Sequence, residues 1–410
     1  MYDTWITAME KNEISAVIML DMSAAFDVVD TSILLGKMKI YGFDESSIEW
    51  FQSYMTGRSQ KVYIDGHLSD ALSLEVGVPQ GSILWPLLHI LYSNDLPEVV
   101  HNNHEPQNGF YKIHCKECGG MCCYADDSTY TFSHANPDII KEKIDTKYQD
   151  IANYMVNNKL VLNTDKTHLL VMTTANKHRS NGNFGITLNT GNEIIEPDNY
   201  ETILGGILSN NLKWSEHIRD NKKSLFKCLT TRVNALAKIS KISNFKTRKM
   251  IANGIFLSKL IYLIQIWGGC SDYLLNFLQV LQNRAARFVT KLGHGTSVKT
   301  LLTQCGWLSV RQLTVYHSLN FIYKTKRDKK PKYFNNIFSR EFAYKTRLAD
   351  GSGIRTNCND KATKTLTQQN FTFKAIKTWN DLPIEIRAEA SAFKFKTKIK
   401  AWIKSNVSIY

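Results

Sequence analysis

The sequence predicts an α+β protein, with an antiparallel sheet and packed helices in its first half and a mainly helical, basic second half. Three observations point there. Short β-prone segments separated by turn residues crowd residues 14–208. From Trp214 onward, apolar residues instead recur at helical spacing over 218–239, 246–267 and 273–292. Charge divides at the same place: residues 1–210 hold 14 Lys+Arg against 27 Asp+Glu, whereas 211–410 hold 37 against 10.

Taken in order, Met1–Ser15 is a polar, helical lead-in. Ala16-Val17-Ile18-Met19-Leu20-Asp21 is an apolar run ending in one carboxylate, the pattern of a buried strand that delivers its last residue to an edge. Thr31–Ile40 and Ser46–Tyr54 have helical spacing around a turn at Gly42, and Arg58–Ile64 and Leu72–Val78 read as strands about Asp65-Gly66. A helix is expected over Ser82–Ser93. In Cys123-Tyr124-Ala125-Asp126-Asp127-Ser128-Thr129-Tyr130, β-prone residues run into and out of two carboxylates, a tight hairpin with the acids at its tip.

Asn136-Pro137 is an N-cap with Pro at N1, opening a helix whose buried face is Ile139, Ile140, Ile144, Tyr148, Ile151 and Met155. Strands follow at 160–162 and His168–Met172 across an Asn163–Lys166 turn, then a hairpin of Phe184–Leu188 with Glu193–Glu196 and a strand over Thr202–Leu208. Lys324–Lys332 is a dense basic loop, with the composition of a nuclear-localisation patch and equally of a solvated charge run. Gly351–Gly353 is a flexible loop, and an amphipathic helix near Phe393–Ile403 ends the chain.

Two adjacent carboxylates cannot share a site cheaply, because each raises the pKa of the other unless a cation intervenes. Asp126 and Asp127 are therefore a seat for divalent metal, and Asp21 is the natural third ligand. Around a hundred residues separate Asp21 from the pair, so only a sheet holding both segments side by side brings the three together. Three carboxylates so gathered suit two Mg²⁺ ions and in-line phosphoryl transfer.

Leu20-Asp21-Met22-Ser23-Ala24-Ala25-Phe26-Asp27, Gly77-Val78-Pro79-Gln80-Gly81-Ser82-Ile83-Leu84 and Tyr124-Ala125-Asp126-Asp127 resemble, in order, motifs A, B and C of a reverse transcriptase. The chain is similar to the non-LTR (LINE-type, jockey-like) retrotransposon polymerases. Asn158-Lys159-Leu160 with Asn163 and Lys166-Thr167 resembles motif D. Leu204-Gly205-Gly206, with Leu212-Lys213-Trp214 and His217-Ile218, resembles motif E. Leu281-Gln282-Asn283-Arg284-Ala285-Ala286-Arg287 and Trp379-Asn380-Asp381-Leu382-Pro383 look like recurrent segments beyond the polymerase core of such elements.

The resemblance implies a polymerase palm at 1–210 with its fingers largely missing, a helical thumb-like region at 211–300 and a C-terminal region at 301–410. It implies RNA-directed DNA synthesis, in which a primer 3′-OH attacks the α-phosphorus of a dNTP on an RNA template. Asp21 and Asp126 would be the main Mg²⁺ ligands with Asp127 beside them, and Phe26 the steric gate against a ribose 2′-OH. Gln80 and Gly81 would approach the nucleotide and template base, and Lys166 would donate a proton to leaving pyrophosphate.

Three positions depart from the family: Trp85 stands where Gly is usual, His89 where Phe is usual and Ser209 where Asp is usual. Trp85 is expected to overpack the nucleotide pocket by roughly 1–3 kcal/mol or to displace its helix. The short stretch before motif A leaves no room for fingers, and the endonuclease domain typical of such elements is missing, so an N-terminally truncated copy is expected. The rival reading is a catalytically weak remnant that only binds nucleic acid.

Cys115-x-x-Cys118 has the spacing of half a zinc site, which Cys122, His114, His104 or His101 could complete; the alternative is two cysteines on a hairpin insertion without metal. In the basic half, Lys222, Lys223, Lys227, Arg232, Lys238, Lys241, Lys246, Arg248 and Lys249, interleaved with aromatic residues, suit a duplex backbone. No apolar run is long enough to span a bilayer, residues 255–267 being short and interrupted by Lys259. With no signal-peptide core either, the expected location is intracellular, and nothing chooses between nucleus and cytoplasm.

Overall fold

The computed structural model describes residues 1–23, 27–78, 81–101, 115–182, 184–239, 243–339, 353–354 and 370–409. Residue contacts divide the chain into two compact units, one of Lys11–Leu204 with Met1 and one of Gly205–Tyr410 with Tyr2–Glu10. The 211–300 and 301–410 regions thus lie within one unit.

The first unit is built on a five-stranded sheet. Its strands are β1 (Ile14–Leu20), β2 (Gly120–Tyr124), β3 (Asp127–His134), β4 (His168–Met172) and β5 (Pro197–Asp198), in the order β5-β4-β1-β3-β2. β1 is central and antiparallel to both β3 and β4, while β4 and β5 run parallel. Being covered on both faces explains its composition: every β1 residue except Met19 is buried, and Ser15 satisfies its hydroxyl on Ser133 at 2.7 Å.

Helices Thr31–Ile40, Trp85–Ser93 and Pro137–Asn157 join this core through Leu34, Met38, Leu88, Tyr92, Ile140, Ile144, Tyr148 and Ile151. Ile139, expected on the buried face, is exposed. Asn136 caps the long helix, accepting from the Asp138 N–H at 2.9 Å.

Three local expectations are corrected by backbone chemistry. The helix expected from Ser82 starts at Trp85, because Pro86 has no N–H and fits only a first turn. There the Trp85 indole packs half-buried against the core, and its backbone N–H bonds Ser82 Oγ at 3.2 Å. The strand expected over Thr202–Leu208 is two, Tyr200–Ile203 and Gly206–Ser209, parted by a turn in which Leu204 and Gly205 both have positive φ. Lys324–Asp328 is no loop but the last turns of the helix Val310–Asp328, in which Thr325 is buried.

The second unit packs helices around Phe256, Trp267, Phe338, Trp379 and Phe395. The first long segment is helical from Leu225 to Ile239 and buries Leu225, Leu229, Val233 and Leu236, after a separate turn at Glu216–Asp220. The second breaks at Leu263, which has φ 56°. Tyr2–Glu10 is an apolar anchor here rather than a polar lead-in. Trp5 and Ile6 are buried, and the Asp3 carboxylate accepts the Phe371 and Thr372 N–H groups at 2.9 and 3.0 Å.

The two C-terminal segments singled out in the sequence have structural uses. Gln279 Nε2 donates to Gln282 and Asn283, Gln282 donates to the Leu308 carbonyl, and Gln279 Oε1 accepts the Val310 N–H. Asn380 brackets Ile354, accepting its N–H and donating to its carbonyl, both at 2.9 Å. The Ser209 hydroxyl donates to the Lys213 carbonyl at 2.8 Å, closing the turn after its strand.

Candidate active site

Register brings the acids together. Leu20 of β1 lies opposite Ser128 of β3, so Asp21, one residue on, comes level with Asp127. On the hairpin, Tyr124 and Asp127 are the last paired residues, so Ala125 and Asp126 make the turn. Ala125 has φ 53°, a left-handed conformation that costs a non-glycine residue about 1–2 kcal/mol and holds the two carboxylates at the sheet edge.

The charges feel one another. The Asp127 carboxyl is pushed above its ordinary value by partial burial first, then by the Asp126 and Asp21 charges. Part of that negative charge is met by Lys166, whose Nζ lies 3.0 Å from Asp21 Oδ2. His89, fully buried beneath the turn, is held below the usual imidazole range by burial and partly restored by the Asp126 charge. Hard carboxylate oxygens that repel each other at a solvent-facing edge fit a divalent cation with oxygen preference, so Asp21, Asp126 and Asp127 are the residues that could hold Mg²⁺.

Lys166 reaches Asp21 because its loop is laced to the same strand end. Met22-Ser23 pairs with Val161-Leu162, and the Asn163 N–H donates to the Asp21 carbonyl at 3.0 Å. Lys159 in turn binds Asp30 at 2.6 Å. Sequence reasoning missed the support beneath: Tyr154 and Lys37 share the Asp95 carboxylate at 2.6 and 2.8 Å, and Tyr92 donates to the Asn158 carbonyl at 2.6 Å. The helical phase of Lys37, which turns it inward with Leu34 and Met38, was the available signal.

Gly77 is fixed by close approach. At φ 82° it donates its N–H to the Val29 carbonyl at 2.9 Å, and a Cβ there would stand 2.8 Å from the Asp27 carbonyl oxygen. Gly81 sits in a turn with open space where a Cβ would lie. Phe26 and Gln80 are outside the described residues, as are His104, His114 and Lys241.

The zinc ligands do not assemble as grouped in the sequence: Cys122 is exposed on β2, apart from Cys115 and Cys118. Among the described residues, one trio of ligand-type side chains has all its donor atoms within 4.8 Å, namely His168, Asp198 and Glu201. His168 Nδ1 lies 3.2 Å from Asp198 and 3.5 Å from Glu201, a half-exposed ion-pair cluster at the β4–β5 edge.

Of the basic residues, Lys222, Lys223, Lys227, Lys238 and Lys246 are exposed. Arg232 and Arg248 are not free for a polyanion. Arg232 donates to the Ile255 carbonyl, and the buried Arg248 donates to the Val289 carbonyl at 2.8 Å and to that of Ser243. Backbone carbonyls thus hold one donor of the Arg232 guanidinium and two of the Arg248 guanidinium. Among the described residues no helix is long and apolar enough to cross a membrane.

Residues 5–203 match the family described as reverse transcriptase (RNA-dependent DNA polymerase). The chain is 28% identical over 289 residues to the RNA-directed DNA polymerase from mobile element jockey of Drosophila funebris, covering 70% of this chain and 29% of that one. It is 27% identical over 346 residues to the "Probable RNA-directed DNA polymerase from transposon X-element" of Drosophila melanogaster, covering 84% and 34%. The chain thus spans about a third of the length of these curated relatives. Among solved structures, the apo telomerase of Candida tropicalis aligns over 98% of this chain and 56% of its own, with a TM-score of 0.42 and 14% identity.

Proposed function

We propose that the chain, whose residues 5–203 match the reverse transcriptases and which is similar to the jockey and X-element polymerases, is an RNA-directed DNA polymerase of the non-LTR, LINE-type group that extends a DNA primer on an RNA template with dNTPs. The observation that carries this is the register of Leu20 on Ser128, which sets Asp21 beside Asp126 and Asp127.

Asp21 and Asp126, with Asp127 beside them, would hold two Mg²⁺ ions. Bound there, the ions supply charge neutralisation at the attacking 3′-oxygen and at the leaving pyrophosphate. The protein's own part is positioning. The antiparallel register sets Asp21 at the end of one strand level with Asp127 on the hairpin, and the loop Asn163–Thr167 keeps Lys166 at 3.0 Å from Asp21. Lys166 would be the residue that donates a proton to the leaving pyrophosphate. Phe26 would crowd a ribose 2′-OH, and Gln80 with Gly81 would face the nucleotide and template base. Lys222, Lys223, Lys227, Lys238 and Lys246 are exposed cations that would contact a nucleic-acid backbone.

The test is Mg²⁺-dependent extension of oligo(dT) on poly(rA) by the purified chain, with Asp126→Asn as control. Incorporation should disappear in the variant while RNA–DNA affinity is kept. No incorporation by the unsubstituted chain, with salt-dependent binding intact, would sink the polymerase reading in favour of a nucleic-acid-binding remnant.

A further inference from the structure

Between the helix Leu96–Val100 and β2 lies Cys115-Lys116-Glu117-Cys118-Gly119, for which polymerase chemistry has no use. It folds into a closed knuckle. The Cys115 N–H donates to the Gly119 carbonyl at 2.7 Å and the Gly119 N–H returns to the Cys115 carbonyl at 3.0 Å. Only glycine can close it: Gly119 has φ 82°, and a Cβ there would meet the Thr131 carbonyl oxygen at 2.4 Å and the Tyr130 hydroxyl at 2.8 Å. Tyr130, on the hairpin that carries Asp127, donates its hydroxyl to the Cys118 carbonyl at 3.0 Å.

Burial pushes the Cys115 thiol up, and the neighbouring Cys118 side chain with the Cys118 and Glu117 backbone N–H groups more than offsets it, leaving the thiol below its ordinary value. On the other side of Cys118, His101 Nδ1 lies 3.0 Å from its sulfur, and both side chains are buried, at 4% and 5% exposure. Two sulfurs and an imidazole form a soft donor set. Such a set selects zinc over the oxygen-seeking cations of the acidic site.

We infer that His101, Cys115 and Cys118 form a zinc site that ties the end of the helix Leu96–Val100 to the base of the β2–β3 hairpin. Zinc–sulfur and zinc–nitrogen bonds of roughly 2.3 and 2.0 Å put tetrahedral ligands roughly 3.5 Å apart, close to the present His101–Cys118 contact. Cys118 carries the one close contact of the set, to His101; the three donor atoms do not all lie within 4.8 Å of one another, so binding requires the Cys115 side chain to turn toward the other two. Both thiols lose their protons to solvent on binding, His101 binds through its neutral Nδ1, and water takes the fourth position. Cys122, exposed on the strand, takes no part.

The test is metal content of the full chain purified from zinc-supplemented cells, with cobalt titration of the stripped protein. One zinc per chain is expected, with a sulfur-to-cobalt charge-transfer band of an intensity that counts two thiolates. Cys115→Ser and Cys118→Ser should each lose the zinc, whereas Cys122→Ser and Asp126→Asn should keep it. The cobalt band is read on the unsubstituted chain, so a variant that fails to fold leaves the test intact. A chain without zinc and without a cobalt–thiolate band overturns the inference, as does zinc retained when both cysteines are replaced. Neither result bears on primer extension, which rests on the acidic site alone.

Discussion

The two units put their most telling polar side chains to different uses. In the first, Asp21, Asp126 and Asp127 converge on one edge with Lys166 as their paired cation. In the second, Gln279, Gln282, Arg248 and Asn380 each close on a backbone group. Satisfied polar groups fix a scaffold, because leaving any one unpaired costs about 1–3 kcal/mol. Repelling charges held in register are kept against that rule, and they mark where a cation and a reaction belong.

The contrast is broken most forcefully at the second core. Trp267→Ala removes a fully buried indole whose Nε1–H donates to the Tyr262 carbonyl at 2.7 Å. It should lower stability by about 3–5 kcal/mol. Hydrogen exchange should show the loss in residues 225–328 and leave β1–β4 protected. Equal loss in both would dissolve the division into two units.

Acid should separate the units as well. His217 is buried, accepts the Ile207 N–H on Nδ1 at 3.2 Å and has its pKa lowered to about 4 by burial first, then by Lys259. An unfolded histidine takes up a proton near 6.5 and the folded one does so only near 4. Its stabilising contribution is therefore complete above pH 6.5 and falls away between there and about 4, by about 3 kcal/mol. His217→Gln should flatten that slope in urea titrations at pH 7 and pH 4.5. An unchanged slope would place the sensitivity elsewhere.

A smaller effect sharpens the account of motif B. The sequence argument has Trp85→Gly relieving overpacking, but the indole is half-buried against the core at the start of its helix. The substitution should cost about 1–2 kcal/mol, from helix propensity and lost apolar contact. A rise in melting temperature would restore the overpacking view.

The smallest effects are at the exposed lysines. Lys222→Ala, Lys223→Ala and Lys227→Ala should leave melting unchanged, and each should reduce the salt slope of nucleic-acid binding by about 0.7–0.9 per lost phosphate contact. Arg232→Ala should do the reverse, lowering stability with no change in slope, because its guanidinium braces the Ile255 carbonyl. If Arg232 behaves like the lysines, that brace is not what occupies it.

Much of this was legible in residue order. The apolar run into Asp21, the acid pair between β-prone residues, the Asn136 cap and the long amphipathic helices are local patterns, and propensity, periodicity and turn chemistry act locally. Where local signals competed, neighbouring chemistry decided: Pro86 moved a helix start, and Leu204 with Gly205 split a strand.

What the sequence by itself determined was the fold class and the motif order through which residues 5–203 match the reverse transcriptase family. The tertiary structure alone decided which polar residues were free. Lys222 and Arg232 look alike as letters, but a helix phase and a facing carbonyl leave one in solvent and engage the other. Cys122 and Cys118 are four residues apart, and the turn at Gly119 with the His101 contact puts only Cys118 in the knuckle. Such pairings depend on side-chain direction and on partners far away in the chain, which no short stretch of sequence specifies.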